Sequence, residues 1–147
     1  MYGLFMAILL ANRKDVEPMS KLEKEKFYLC DQCGNVIQAV STTGVPVVCC
    51  GHEMTELTPN TSDGAQEKHL PVVTVQGDTV KVDVGSAPHP MEDAHSIEWV
   101  YLETDQGTQR KALTPGTAPV AVFHLGGARP KAVYAYCNLH GLWKTEL

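Results

Sequence analysis

The last stretch of the chain constrains the fold most, because a strand pattern there ends in two side chains that can bind metal. Residues 131–136 alternate between apolar and other positions, which predicts a half-buried β-strand. Val133, Ala135 and Cys137 fall on one face of this strand. His140 follows Cys137 closely, in the predicted turn. A rigid strand end and a turn can hold a thiolate and an imidazole together, so we expect a metal site here.

Three further histidines stand upstream in distinctive surroundings. His69 directly follows Glu67 and Lys68, while His89 and His95 belong to one proline-containing stretch. Any one of these histidines alone is better explained as a structural residue. Together with Cys137 and His140 they would form a nitrogen-rich metal site with a single sulfur ligand.

Four of the five cysteines form a second candidate site between residues 30 and 50. A Cys-x-x-Cys turn followed by a glycine precedes an adjacent cysteine pair, which gives the set Cys30, Cys33, Cys49 and Cys50. Four thiolates suit zinc or a single iron, and ligand type alone does not separate these metals. Two disulfides are the alternative, but they leave the fifth thiol unused. Thiolate–metal chemistry in a reducing compartment is the favoured interpretation.

Around these cysteines the sequence predicts a small β module. Residues 36–40 and 45–48 are short β-branched runs joined by a turn, and we predict that they form a hairpin. A unit of this size buries too little apolar surface to fold alone, so it needs a metal or another staple.

Beyond a polar, turn-rich segment the sequence pattern is that of an all-β domain. Residues 72–75 and 79–84 flank a turn at Gly77, and further short strands follow at regular spacing. In the next of these strands we expect Ile97, Trp99 and Tyr101 to share one face. The spacing predicts a β-sandwich.

Charge and hydropathy exclude two classes of partner. The formal net charge is −5 without a dense basic run, which argues against nucleic-acid binding. Residues 1–10 are mostly apolar but too few to span a membrane, and no basic segment precedes them as in a secretory signal. We therefore expect no membrane partner, and expect residues 1–26 to be a leader that is disordered or follows a misassigned start.

Three motifs together resemble the iron site of the superoxide reductases. They are Glu-Lys-His-x-Pro-Val at residues 67–72, His-Pro-Met-x-x-x-His at residues 89–95, and Tyr-Cys-Asn-x-His-Gly-Leu-Trp at residues 136–143. The adjacent pair Cys49-Cys50 is typical of the desulforedoxin-like module that the longer members, the desulfoferrodoxins, carry in addition. The resemblance covers the chain from about residue 27 to residue 143.

This resemblance implies an all-β fold with two parts: a small desulforedoxin-like, metal-stapled module and then an immunoglobulin-like β-sandwich. The expected division is a leader at residues 1–26, the four-cysteine module at 27–57, a linker at 58–66 and the superoxide reductase domain at 67–147. The linker is predicted from its polar, turn-forming composition.

The resemblance also implies two irons per chain and an enzymatic function. One iron would be held by the four cysteines, and the other by His69, His89, His95, His140 and Cys137. At the second centre a superoxide reductase converts superoxide to hydrogen peroxide without making dioxygen, in defence against oxidative stress. Lys68 matches the residue that attracts the anion, and Glu67 matches the exchangeable sixth ligand. A rubredoxin-like electron donor, a homodimer and a cytoplasmic location are the family's expected setting.

Two other functions fit part of the sequence. A cupredoxin-like electron-transfer protein needs a β-sandwich with two histidines, one cysteine and a weak methionine ligand, for which Met91 is available. It would leave two motif histidines and the four-cysteine module unexplained. A non-catalytic iron or zinc binding module is the second alternative. Metal analysis with a visible spectrum, followed by a superoxide assay, separates these three functions.

Overall fold

The computed structural model describes residues 26–147, and the chain divides into two compact units between Glu56 and Leu57. The predicted leader lies outside the described residues, except that its last residue, Lys26, begins the first strand. The boundaries of the predicted module, linker and catalytic domain stay predictions. None of the helices within residues 26–147 has the length and apolar character needed to cross a membrane.

The first unit consists of short antiparallel strands. They are β1 (Lys26–Leu29), β2 (Val36–Ala39), β3 (Val48–Cys49), β4 (His52–Glu53) and β5 (Thr55–Glu56). One sheet has the order β2-β1-β5, and β3 pairs separately with β4.

The hairpin predicted between residues 36–40 and 45–48 is wrong, because β2 pairs with β1 and β3 pairs with β4. The cysteine turn explains this pairing. The amide of Cys30 donates to the carbonyl of Asn35 at 2.8 Å, and the amide of Gly34 donates to the carbonyl of Cys30 at 2.8 Å. These bonds close the turn between β1 and β2, so β2 pairs with β1 and not with residues 45–48 as predicted.

The first unit buries few apolar side chains. Among its described residues only Phe27, Cys30 and Met54 are buried apolar residues. Three side chains do not form a core that outweighs the conformational entropy lost on folding. This unit therefore has the small core that the sequence predicts for a metal-stapled module.

The second unit holds one short helix and seven strands. They are α1 (Gln66–His69), β6 (Pro71–Gln76), β7 (Thr79–Val84), β8 (Ile97–Thr104), β9 (Gly107–Ala112), β10 (Val120–His124), β11 (Pro130–Cys137) and β12 (Gly141–Glu146). They form a sheet of order β10-β7-β6 and a sheet of order β12-β11-β8-β9.

The core of this unit lies between its two sheets, which confirms the predicted all-β sandwich. β7 alternates as predicted, with Val80, Val82 and Val84 buried in the same cluster as residues of β8, β10 and β11. The hairpin of β6 and β7 turns at Gly77, whose φ of +57° lies in the left-handed region that glycine tolerates. Cys137 ends β11 inside this core, so the metal site is built on its edge.

The expected shared face of Ile97, Trp99 and Tyr101 is wrong. Ile97 belongs to the core cluster together with Val100, whereas Trp99 and Tyr101 do not. The pairing of β8 with β11 shifts its register between Tyr136 and Cys137, so one extra residue enters β8 there. Because side chains alternate along a strand, this bulge moves Trp99 and Tyr101 to the face opposite the core cluster, where both are still buried.

Candidate metal centres

The second unit brings together the four histidines and the cysteine predicted as one site. His69 ends α1, His89 and His95 lie in the connection from β7 to β8, Cys137 ends β11, and His140 closes the turn before β12. One ligand atom from each residue lies within 4.8 Å of all the others. Segments that are distant in sequence therefore converge on one point at the end of the sandwich.

The four imidazole rings are arranged as a square. Going round it in the order 69, 89, 95 and 140, neighbouring ring centroids are 4.6, 4.6, 4.9 and 4.7 Å apart, and the planes are steeply inclined to each other. His69 and His95 stand on a diagonal, with centroids 6.3 Å apart. Four rings grouped around one point can each direct one nitrogen towards a single central cation.

Hydrogen bonds fix which nitrogen of His69 and His89 faces this centre. Nδ1 of His69 lies 2.7 Å from the carbonyl oxygen of Ala65, and Nδ1 of His89 lies 2.6 Å from that of Pro90. A carbonyl oxygen only accepts, so we infer that each Nδ1 carries the proton and each Nε2 keeps its lone pair. These two Nε2 atoms are 3.1 Å apart. Lone pairs that face each other at this distance repel unless a cation lies between them.

The spacing of the nitrogens fits a metal. Bonds of about 2.1 Å at right angles place adjacent nitrogen ligands about 3.0 Å apart. Nε2 of His69 lies 3.0 Å from Nδ1 of His140, and 3.1 Å from Nε2 of His89. Nε2 of His95 is buried without a hydrogen-bond partner, an arrangement that costs about 1–3 kcal/mol unless something binds it. The spacing of these nitrogens therefore fits ligands around a bound cation better than it fits side chains in direct contact with one another.

Burial favours the neutral form of three of the rings, those of His69, His89 and His95. It lowers the pKa of His69 and His95, and it lowers the pKa of His89 to about 4. Interactions with the neighbouring histidines lower these pKa values further. Since metals bind the neutral imidazole, the protein supplies the ring in the form that a ligand needs.

Cys137 contributes the one sulfur atom of this group. Its Sγ lies 3.6 Å from Nδ1 of His140, and four imidazoles already occupy the corners. Burial raises the pKa of Cys137, while the backbone amides of Leu139 and His140 lower it. Among the described residues no carboxylate joins this cluster, and Met91 packs against the hydrophobic core. A cupredoxin-like set of two histidines, cysteine and methionine is therefore not what this unit presents.

Two residues of the C-terminal motif support the ligands in ways that the sequence analysis missed. Asn138 accepts the amide of Ser96 at 3.0 Å and donates to the carbonyl of Ala94 at 3.1 Å, so it holds the chain on both sides of His95. Trp143 stacks on the ring of His69 with centroids 4.8 Å apart. The sequence offered only their positions within the motif as a sign of these roles, because the groups they contact are remote in sequence.

Glu67 and Lys68 lie next to this centre, on α1, with exposed side chains. The turn after β7 fixes their main chain: the amide of Ala87 donates to the carbonyl of Glu67 at 2.9 Å. Gly85 has a φ of +85°, and a Cβ there would lie 2.6 Å from the carbonyl oxygen of Lys68. Only glycine fits at that position. The pair is thus held at the backbone while both charged groups face solvent.

The first unit brings its four cysteines together as predicted. The Sγ atoms of Cys33 and Cys49 are 3.7 Å apart, and those of Cys49 and Cys50 are 4.0 Å apart. All four are free thiols, so the two-disulfide alternative is not the arrangement present. Metal–sulfur bonds of about 2.3 Å in a tetrahedron place sulfurs about 3.8 Å apart. The cysteines therefore fit a tetrahedral metal, and His52, although exposed nearby, is not one of the group.

The acidity of these thiols also favours a cation. Contacts with Cys33, Cys49 and Cys30 raise the pKa of Cys50 to about 12. The backbone amide of Cys33 lowers the pKa of Cys30 to about 7. Without a cation the cluster can ionise only in part, because the thiolates repel one another. A metal supplies the positive charge that lets all four ionise.

Comparison with known proteins finds a family model and relatives that match more than half of the chain. The family model described as desulfoferrodoxin matches residues 61–146. The desulfoferrodoxin of Nitratidesulfovibrio vulgaris is 45% identical over 121 residues, which cover 82% of this chain and 95% of that protein. The desulfoferrodoxin of Syntrophotalea carbinolica is 44% identical, covering 84% and 98%.

A solved structure has the same fold over most of the chain. The superoxide reductase from Treponema pallidum superposes with a TM-score of 0.72 and 36% sequence identity, covering 84% of this chain and 98% of that one. On the match of the family model and on the identity to full-length relatives, this chain belongs to the desulfoferrodoxin family.

Proposed function

We propose that this protein is a superoxide reductase with iron in both of its metal centres. The observation that carries the proposal is the group of four imidazoles and one cysteine sulfur around a single point. A relative from Pyrococcus abyssi and the structural neighbour from Treponema pallidum bear the name superoxide reductase. Imidazole and thiolate ligands both suit iron.

The net reaction combines superoxide, one electron and two protons into hydrogen peroxide. Ferrous iron bound by His69, His89, His95, His140 and Cys137 would supply the electron and be restored by a donor. The chain's own part is to bind this iron, to attract the substrate and to admit protons. Lys68 and Glu67, which lie next to the ligand His69 in sequence, would act at this centre on the incoming anion.

Lys68 is the residue that we propose attracts superoxide. It is exposed and directly precedes the ligand His69 in sequence. Its positive charge also contributes to the lowered pKa of His95, after burial and the influence of His140, so its field reaches the centre. A cation beside the centre raises the local concentration of a small anion.

Glu67 is the residue that we propose as the exchangeable carboxylate ligand. It lies in the same turn as Lys68, and its negative charge favours the charged form of His69. Its side chain is exposed and its carbonyl is held by the turn after β7. A tethered main chain with a free side chain suits a group that binds and leaves.

Three further features of the setting are proposals. A rubredoxin-like protein would reduce the centre after each turnover, and the chain would act as a homodimer. A cytoplasmic location is supported by the cluster of free thiols, which a reducing compartment preserves. Size-exclusion chromatography with light scattering tests the dimer, and stopped-flow reduction by rubredoxin tests the donor.

The experiment that tests the function is pulse-generated superoxide mixed with the reduced full-length protein. We expect hydrogen peroxide to form in a one-to-one ratio to superoxide, with no dioxygen released. Metal analysis should find two irons per chain. Dioxygen formation together with peroxide would indicate dismutation, and copper or zinc in the four-histidine centre would indicate a different class of protein.

The four-cysteine centre is not expected to take part in the chemical step. Cys50→Ser should lose the first iron and destabilise the first unit, because that unit has only a small core of its own. Superoxide reduction by the pre-reduced second centre should keep its rate. Iron content, thermal unfolding and single-turnover kinetics check this. A collapse of the single-turnover rate with the second iron still bound would contradict the assignment.

A further inference from the structure

Residues 60–64, which we call the strap, belong to the segment predicted as a linker but are fastened to β12. The amide of Asn60 donates to the carbonyl of Leu142 at 3.0 Å. The side chain of Asn60 donates to the carbonyl of Lys144 at 3.0 Å and accepts its amide at 2.8 Å. The φ of Asn60 is +62°, a conformation that asparagine adopts more readily than most residues. Three hydrogen bonds from one residue thus fix the start of the strap.

The middle of the strap holds the backbone of the ligand His140. The hydroxyl of Ser62 donates to the carbonyl of His140 at 2.5 Å. The indole Nε1 of Trp143 donates to the same carbonyl at 3.1 Å. The oxygen therefore has both of its lone pairs in use. His140 lies in a turn and not in a strand. These two bonds therefore hold its backbone, as hydrogen bonds between paired strands would in a sheet.

The end of the strap lies against the ligand rings. A Cβ built on Gly64 would lie 2.9 Å from Cζ2 of Trp143 and 3.0 Å from Cε1 of His69. It would also lie 3.1 Å from Cβ of His140. Gly64 is the one glycine of the described residues whose φ is not in the positive range, so space and not backbone conformation requires glycine here. The next residue, Ala65, accepts the Nδ1 proton of His69.

We propose that the strap is a positioning element that holds two of the four ring ligands, His69 and His140, in the orientation that retains iron. Gly64 provides the close approach, and Ser62 provides the hydrogen bond to the turn. The inference rests on the proposed iron site, and it names residues that hold two of the ligands of that site in place. Groups that orient metal ligands by hydrogen bonding and packing set the affinity and the electronic environment of the metal.

Gly64→Ala is the first test, made in the full-length iron-loaded protein. The added methyl must displace the ring of His69 or the backbone of His140, so iron should pass to an excess of chelator roughly 10-fold faster. The sulfur-to-iron absorption band of the ferric form should shift, because the ring ligands move relative to Cys137. Gly126→Ala is the control. Gly126 has open space around it, and its φ of +60° strains any residue other than glycine, so the change adds backbone strain without a contact to the ligands. It should leave iron release and the band unchanged.

Ser62→Ala is the second test and does not depend on whether Gly64→Ala folds. Loss of the hydroxyl should also speed iron release, and Ser62→Thr, which keeps a hydroxyl, should restore the original rate. Thr104→Ala is its control, because Thr104 makes a comparable 2.7 Å bond to the carbonyl of Gly107 at the other end of β8. Thermal unfolding of the metal-free variants measures how much general stability each change removes.

The outcomes separate this inference from the proposed function. If the unmodified protein takes no iron in the four-histidine centre, the proposed function fails. If the unmodified protein retains iron, but Gly64→Ala and Ser62→Ala retain it equally with the same absorption band, the strap has no positioning role. Equal acceleration of release in the Gly126→Ala and Thr104→Ala controls would also overturn the inference, because it would trace iron loss to general destabilisation.

Discussion

Cys137→Ser is expected to abolish superoxide reduction while most of the iron stays in the four-histidine centre. Serine keeps the size of the side chain but replaces a soft, strongly donating sulfur with a poorly ionised hydroxyl. Four imidazoles remain, and they can still hold iron because their spacing comes from other elements of the fold. Turnover should fall by more than the roughly 10–100-fold that loss of a group beside a ligand produces.

Three measurements check this result. Metal analysis should find the second iron largely retained, the visible spectrum should lose its sulfur-to-iron band, and pulsed superoxide should decay at the background rate. Cys50→Ser is the matched control, since it should lose iron from the other centre and keep the superoxide rate. If Cys137→Ser lowers stability but leaves both band and rate intact, Cys137 is a buried structural thiol, which is the commoner role of a lone strand cysteine.

The sequence predicted the sandwich well where local pattern determines structure. β7 alternates between buried and more exposed residues over its whole length, and Gly77 marks its hairpin with β6. Such strands are predictable because period-2 alternation and turn chemistry act within a few residues. The last strand, β12, was not predicted, because its run of Leu142 and Trp143 is followed by polar residues and lacks a clear alternation.

Predictions failed where a distant partner decides the conformation. A single extra residue in β8 moved Trp99 and Tyr101 to the face opposite the core cluster, and a bulge leaves no local signature that period counting detects. In the first unit the cysteine turn, not the valine pattern, decided which strands pair.

The candidate site shows the same division. The motif histidines and Cys137 could be named from the sequence, because ligand chemistry restricts the residue types. The contacts that hold these ligands in place could not be predicted from the sequence. Ser62 and Gly64 lie in a polar segment whose composition is typical of a linker, yet they contact a turn far along the chain. Hydrogen bonds between a side chain and a remote backbone follow from the completed fold, and they leave no spacing that a sequence pattern could reveal.

Lys68→Ala is expected to slow the second-order reaction with superoxide and to reduce its dependence on salt. The side chain is exposed next to the iron ligand His69, so its charge acts on an approaching anion through solvent. Removing one positive charge should lower the rate at low ionic strength by roughly tenfold, at the lower end of what electrostatic steering achieves. At high salt the two proteins should converge, because charges are screened over about 10 Å at 0.1 M ionic strength.

The salt series separates steering from damage to the centre. Lys68→Arg keeps the charge and should keep both the rate and its salt dependence, whereas Lys68→Glu should fall below Lys68→Ala at low salt. Lys131→Ala removes an equal charge from an exposed position on β11 and serves as the control. Iron content and the visible spectrum should be the same in all of these variants. A Lys68→Ala rate equal to that of the unmodified protein at low salt would remove Lys68 from the mechanism. A rate lowered equally at all salt concentrations would indicate a role after encounter, such as proton delivery.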